Sequence, residues 1–179
     1  ALAFLHDIGK LATGFQAKAW DSNLGITPRG HVQCGWLWLG QEEAAGALDG
    51  NAVLLAEWPD IEMWFRLLFA HHGRPVCKPD PSWGLNAFDP TAGYDWKAEE
   101  RVMGKALITW FPEIRDNAPP SLTPEFAHFY AGLLALADWV GSDREAFDFV
   151  KEFDLSYWGA ARIKAQRRVR SIGLDPLNS

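Results

Sequence analysis

The apolar residues of this chain are overwhelmingly helix formers, and that bias constrains its fold more than any other feature. Alanine and leucine number 44 of its 179 residues, against 19 for valine, isoleucine and threonine together. Small and straight-chain residues lose little rotamer freedom in a helix, whereas β-branched ones favour strands. The composition therefore predicts an all-α fold, a compact multi-helix bundle. Glycine, proline and capping residues punctuate it. Gly9 reads as a helix stop, and 13–20 as a short helix. A helix is expected over 31–48, followed by one opened by Pro59 that runs to His71 and His72. From Gly73 to Asp95 the chain turns proline- and glycine-rich, a long loop of the kind that is usually functional or mobile. Asp95 caps a helix to Phe111, and Thr123 with Pro124 starts another through Gly141. A last amphipathic helix spans about 156–171.

With 48% hydrophobic and 22% charged residues, the composition excludes disorder, and the chain is long enough to bury one sizeable core, read as a single domain over 1–179. Ala1 to Leu5 read as the last turns of a helix already under way, so the domain is expected to begin upstream. Cys34 and Cys77 read as reduced thiols of a cytoplasmic protein, at a spacing that fits no zinc knuckle. The longest apolar run, 132–137, is cut short by Asp138, so no membrane span is expected. A net charge of −6 argues, on average, against a nucleic-acid partner. The cations are nevertheless concentrated, at Lys10, Lys18 and Arg29 and in the run Arg162, Lys164, Arg167, Arg168 and Arg170. That run reads as a solvated helix face or as a path for a DNA backbone.

The chemistry-bearing residues gather at predicted helix ends. His6 and Asp7 are adjacent, His31 opens a helix after Gly30, and His71 and His72 precede Gly73. Asp138 interrupts an otherwise apolar helix, where an unpaired charge is expensive to bury, and Ser142 lies four residues on along the same face. Neutral imidazoles and carboxylates from several helices make a mixed nitrogen and oxygen site for divalent transition metals: manganese, iron, cobalt, nickel or zinc. Two such ions can activate water and stabilise both oxygens of a phosphodiester displacement. Asp7 is the natural bridge between them. Lys10, one turn on, is placed to neutralise a phosphate.

Read in order, His6-Asp7-Ile8-Gly9-Lys10, Phe15-Gln16-Ala17-Lys18, Gly30-His31, Ala70-His71-His72-Gly73 and Leu136-Ala137-Asp138-Trp139-Val140-Gly141-Ser142 resemble the HD nuclease domain of the CRISPR-associated helicase–nuclease of type I interference. The resemblance runs from Ala1 to about Asp143. It implies an HD-domain bundle that cuts single-stranded DNA with two metals, in partnership with a CRISPR surveillance complex and a helicase domain downstream or on a separate subunit. It further implies that His6, Asp7 and Asp138 hold one metal and Asp7, His31, His71 and His72 the other. Lys10 and Ser142 would then lie beside the scissile phosphate. The family has a further ligand histidine upstream of the doublet, a position this sequence does not include; either the natural protein supplies it or the first metal site is incomplete.

His128 lies off the helical face of Asp138 and reads as structural. Of the ten tryptophans, about seven read as core. Trp83, in the proline-rich loop, reads as free to touch a strand or a partner, and with Lys18, Arg29, Arg167 and Arg168 completes the candidate DNA-binding set. Two rival functions are a nucleotide phosphohydrolase with a closed pocket and an inactive domain that docks on the surveillance complex. Other nucleotide-binding signatures would favour the first, and loss of metal ligands the second.

Overall fold

The structure, a computed structural model, describes residues 1–20, 25–39, 47–74, 76–84, 86–91, 93–150 and 153–175. It contains seven α-helices among these residues: α1 (Thr13–Gln16), α2 (His31–Leu39), α3 (Ala52–Ala56), α4 (Ile61–Phe69), α5 (Trp96–Trp110), α6 (Pro124–Gly141) and α7 (Tyr157–Ser171). Short 3-10 turns at Leu2–Leu5, Ile8–Leu11, Ala17–Ala19, Pro81–Gly84 and Pro112–Arg115 connect and extend them. Among the described residues there is no β-strand, only an isolated bridge between Thr91 and Tyr94. The fold is all-α. Among the described residues no helix is long and apolar enough to cross a membrane.

Local chemistry explains the helix ends. The Asp95 carboxylate accepts hydrogen bonds from the Lys97 and Ala98 amides at 3.0 and 3.2 Å, opening α5, and Pro112 follows the Phe111 that ends it. Thr123 accepts from the Phe126 amide at 3.2 Å with Pro124 in first position, opening α6. At the end of α4, Gly73 adopts φ +74°, a left-handed conformation that turns the chain sharply just past His71 and His72.

Three expected elements differ. The first residues form a 3-10 turn rather than the end of an α-helix. The helix predicted over 31–48 is α2 to Leu39; its continuation at 40–46, Glu42 and Glu43 included, lies outside the described residues, and Leu48 and Asp49 turn back with φ of 53° and 58°. Pro59 does not open α4, because Asp60 adopts φ +56° and the helix begins at Ile61. A further short helix, α3, precedes it. Between α4 and α5 the described residues carry one 3-10 turn and the isolated bridge, with Pro75 outside them.

The core is packed by α2, α4 and α5 against the first two turns. It buries Leu5, Ile8, Trp36, Trp38, Trp64, Phe65, Leu68, Phe69 and Leu107. Trp36 meets Phe69 edge-on with centroids 5.4 Å apart, and Trp64 lies between Phe126 and Tyr130 of α6 at 6.0 and 5.1 Å. Glu100, buried on α5, accepts a hydrogen bond from the Trp38 indole, and burial pushes its carboxyl up from the ordinary range. Trp36, Trp38, Trp64 and Trp96 are buried, five other tryptophans are half-buried, and Trp139 is 77% exposed. The tryptophan left in solvent is therefore Trp139, not Trp83.

Gly9 acts differently from the expected helix stop. It lies inside the second 3-10 turn, and a Cβ there would overlap the His31 carbonyl oxygen and the Gly35 amide. Its bare Cα lets that turn press against the first residues of α2. This contact brings Asp7 beside His31.

Candidate metal centre

Asp7 stands at the junction between the first two 3-10 turns, with His6 just before it. His31 is the first residue of α2, His71 and His72 follow α4, and Asp138 comes from the last turn of α6. The structure brings all of these side chains together. Asp7 Oδ1 lies 3.3 Å from His31 Nε2 and 3.8 Å from His71 Nε2, while Oδ2 lies 3.3 Å from His6 Nε2. His6 Nε2 is also 3.3 Å from Asp138 Oδ1. On the other flank, His31 Nε2 is 3.1 Å from His72 Nε2 and 3.4 Å from His71 Nε2.

Two backbone contacts set the ring tautomers. His6 Nδ1 donates to the Ala3 carbonyl at 2.7 Å, and His71 Nδ1 to the Leu68 carbonyl at 2.6 Å. A carbonyl can only accept, so Nδ1 carries the proton and Nε2 of the neutral ring keeps its lone pair. Such outer contacts are what orient metal-binding imidazoles.

The arrangement fits divalent cations on two grounds. Asp7 Oδ1 is shut off from solvent and has no hydrogen-bond donor among the described residues, a costly state for a carboxylate oxygen unless a cation faces it. Neutral imidazole lone pairs also converge on one point, where they repel one another unless a metal ion shares them. Two groups of donors have ligand atoms all within 4.8 Å of each other: His31, His71 and His72; and His6, Asp7 and His71. His71, fully buried in its side chain, belongs to both groups. The family resemblance implies a place for it at one metal only.

Electrostatics agree with neutral His31 and His71 and an ionised Asp7. Burial, together with Lys10, His71 and His72, lowers His31 to about 4, outweighing the attraction of Asp7. Burial likewise lowers His71. Burial opposes ionisation of Asp7, but His6 and Lys10 outweigh it and hold its carboxyl well below the usual range. His6 is raised despite its burial, because Asp7, the Ala3 carbonyl and Asp138 all favour its protonated form.

Around these donors the remaining candidates fall unequally. Lys10 pairs with Asp7 Oδ2 and keeps its ammonium half-exposed. Ser142 caps the C-terminus of α6 and is exposed. His128 is exposed and lies outside both donor groups. Lys18 sits over the Phe15 ring at 4.6 Å, and Arg29 over the Trp83 ring at 4.8 Å. Trp83 is not free, contrary to the expectation from its loop. It is half-buried against Ala12, Cys34 and Ala87, and the arginine covers its face. The cationic run on α7 is partly neutralised by acids that precede it: Arg168 pairs with Asp143 and Lys164 with Asp148, the latter at 2.9 Å. Arg170 pairs with Asp175 beyond the helix, and Arg167 remains exposed.

Phe15 and Gln16 belong to the motifs of the resemblance but had no expected task. The Phe15 ring meets His31 edge-on at 5.5 Å, and Gln16 Nε2 donates to the Lys10 carbonyl at 2.7 Å, so both brace the centre. Their spacing from the His-Asp doublet, on a short helix directly after it, was the available signal.

No curated protein and no solved structure matches the chain significantly. A family model does, that of the Cas3 HD domain, over residues 1–147, a span that takes in every donor described above. With that span covering most of the chain, and with the His-Asp doublet, tandem histidines and α6 aspartate meeting at one centre, this chain belongs to the Cas3 HD domain family.

Proposed function

We propose that this chain hydrolyses phosphodiester bonds of single-stranded DNA as the nuclease part of a type I CRISPR interference system. Its family is one of metal-dependent HD-type nucleases of CRISPR systems. The observation that carries the finer reading is Asp7, a half-buried carboxylate with one oxygen shut off from solvent, whose two oxygens face different imidazoles. In this reading His6, Asp7 and Asp138 hold one ion and Asp7, His31, His71 and His72 a second. His71 lies close enough to the first group to contribute there as well. Divalent ions at such a site supply an activated water and stabilise the attacking and leaving oxygens of an in-line displacement. The donor set accepts manganese, nickel, cobalt, iron or zinc.

The chain's own groups do the rest. Protons on Nδ1 of His6 and His71, held by backbone carbonyls, keep each Nε2 aimed at the centre. Lys10 exchanges its contact with Asp7 for the incoming phosphate, and the Ser142 hydroxyl donates to a non-bridging oxygen. The water oxygen gives up a proton to solvent as it bonds to phosphorus, the bond to the leaving sugar oxygen breaks, and that oxygen takes up a proton from solvent. Arg167, with Arg168 beside it, guides the strand's backbone past the end of α6, to which Asp143 ties α7. The partners of this activity are the surveillance complex and a helicase domain, on the same polypeptide or a separate subunit, in the cytoplasm.

Asp7→Ala tests the reading. It is expected to abolish manganese-stimulated cleavage of single-stranded DNA, a loss of at least about 100-fold, with an unchanged circular dichroism spectrum. Cleavage retained at the wild-type rate would overturn the two-metal assignment.

A further inference from the structure

Beside the metal centre, on the His31 side, lies a pair of aromatic–cation contacts that the chemistry above does not use. Arg29 is two residues from His31, so its backbone lies within about 7 Å of that ligand's. Its amide donates to the Gly14 carbonyl at 2.8 Å. Its stem fills the notch that Gly14 leaves, since a Cβ there would come within 2.7 Å of Arg29 Cγ. Its guanidinium lies over Trp83, 4.8 Å from the ring centroid. Trp83 is in turn anchored on Ala12, Cys34 and Ala87. An arginine held by backbone, stem and ring has already lost most of the freedom that binding an anion would otherwise cost it.

Its charge is also poorly used within the fold. Arg29 Nε is buried without an acceptor, and no carboxylate among the described residues pairs with the guanidinium. Lys18 joins it nearby. Its ammonium sits over Phe15, whose edge meets His31, and both cations pull on the same buried Cys34 thiol. Two cations on aromatic supports thus flank the centre on the side of His31.

We infer that Arg29, carried on Trp83, and Lys18 form a phosphate-binding subsite that holds the nucleic-acid backbone next to the phosphodiester being cut. This deepens the proposed function and rests on it. Trp83 serves here as the support for an arginine and not as a platform for a base. The guanidinium reads a phosphate by charge and by its fork of donors, which makes the subsite indifferent to base sequence. Arg29 is a positioning residue, since it reaches the strand without touching the reacting atoms.

The test is binding of a short fluorescein-labelled oligothymidylate by anisotropy, in a chelator so that the strand stays intact, across a salt series. Arg29→Met keeps the stem and removes the charge. It is expected to weaken binding on the order of tenfold at low salt and to lower the slope of log affinity against log salt by about 0.7, one phosphate contact on a single strand. Lys18→Met should remove a similar increment. Arg29→Lys should restore the slope but only part of the affinity, because an ammonium lacks the planar fork. Trp83→Met should weaken binding with little change in slope. If Arg29→Met binds like wild type with an unchanged slope, Arg29 only packs and the inference fails. It fails equally if Trp83→Met is the more damaging change while Arg29→Met is neutral. A wild-type protein that neither binds nor, with manganese, cuts the strand overturns the proposed function itself, so the two failures are distinguished by the wild type.

Discussion

Cys34 and Cys77 show how far one residue type can diverge with its surroundings. Cys34 is fully buried on α2, and burial pushes its thiol up to about 11 in spite of Arg29 and Lys18, whereas Cys77 is exposed. The thiolate is the reactive form, so its scarcity at Cys34 adds to its inaccessibility. Iodoacetamide at pH 8 should therefore modify Cys77 and spare Cys34 in the folded protein, as read by peptide mass mapping. Any residual labelling of Cys34 should rise about tenfold per pH unit up to pH 11 while the fold holds. Equal labelling of both at pH 8 would contradict the packing around α2. At the same scale, Asp7 has two oxygens with different neighbours. One faces His31 and His71, and the other faces His6 and Lys10.

Elements set these neighbours, and different elements do so by different means. Helices α5 and α6 begin where side-chain caps and Pro124 tell them to, and such caps are local. Thr123→Ala should cost about 1 kcal/mol in urea unfolding and leave metal affinity unchanged. Gly9→Ala is another matter. The added methyl would overlap the His31 carbonyl and the Gly35 amide, which are backbone and cannot swing aside. We expect a cost of about 3 kcal/mol or more, as for severe overpacking, together with a measurable loss of metal affinity by calorimetry. A Gly9→Ala protein as stable as wild type would show that the turn-to-helix contact does not shape the centre. Helix α6 shows the reverse situation. Leu134 and Asp138 face inward, while Phe129, Leu133, Leu136 and Trp139 are exposed.

For the whole molecule, the centre couples stability to protons and to metal. His31 and His71 are lowered in the folded state from an ordinary value of 6.5, so the unfolded chain binds protons there that the native state refuses. Stability of the metal-free protein should therefore fall as the pH drops from 6.5 towards 4. Asp7, held low, adds a further loss below about 4. His6, which is raised, offsets part of the first loss. Urea midpoints across this range test the sign, and a flat profile would contradict the neutral-imidazole assignment. Metal stabilises the native state by mass action, about 2.7 kcal/mol at a free concentration 100 times Kd. Manganese should thus raise the melting temperature at pH 7.5 and raise it less at pH 5, where protons compete for the same lone pairs.

What the amino-acid sequence offered by itself was the helical class, the ends of α5, α6 and α7, and a set of candidate metal ligands. Each of these rests on interactions within a few residues: a cap reaching its own first turn, a proline in first position, a histidine pair ahead of a glycine that turns left-handed. The tertiary structure alone decided which oxygen of Asp7 faces which imidazole, that His71 stands between both donor groups, and that Trp83 lies under Arg29 while Trp139 faces solvent. It also decided that Gly9 serves a close approach between elements and that acids ahead of α7 neutralise much of its positive stripe. The reason is physical. Distances across helices depend on how backbones and side chains far apart in sequence pack, and a missing methyl at one glycine can set the separation between Asp7 and His31 without leaving any local periodic signal.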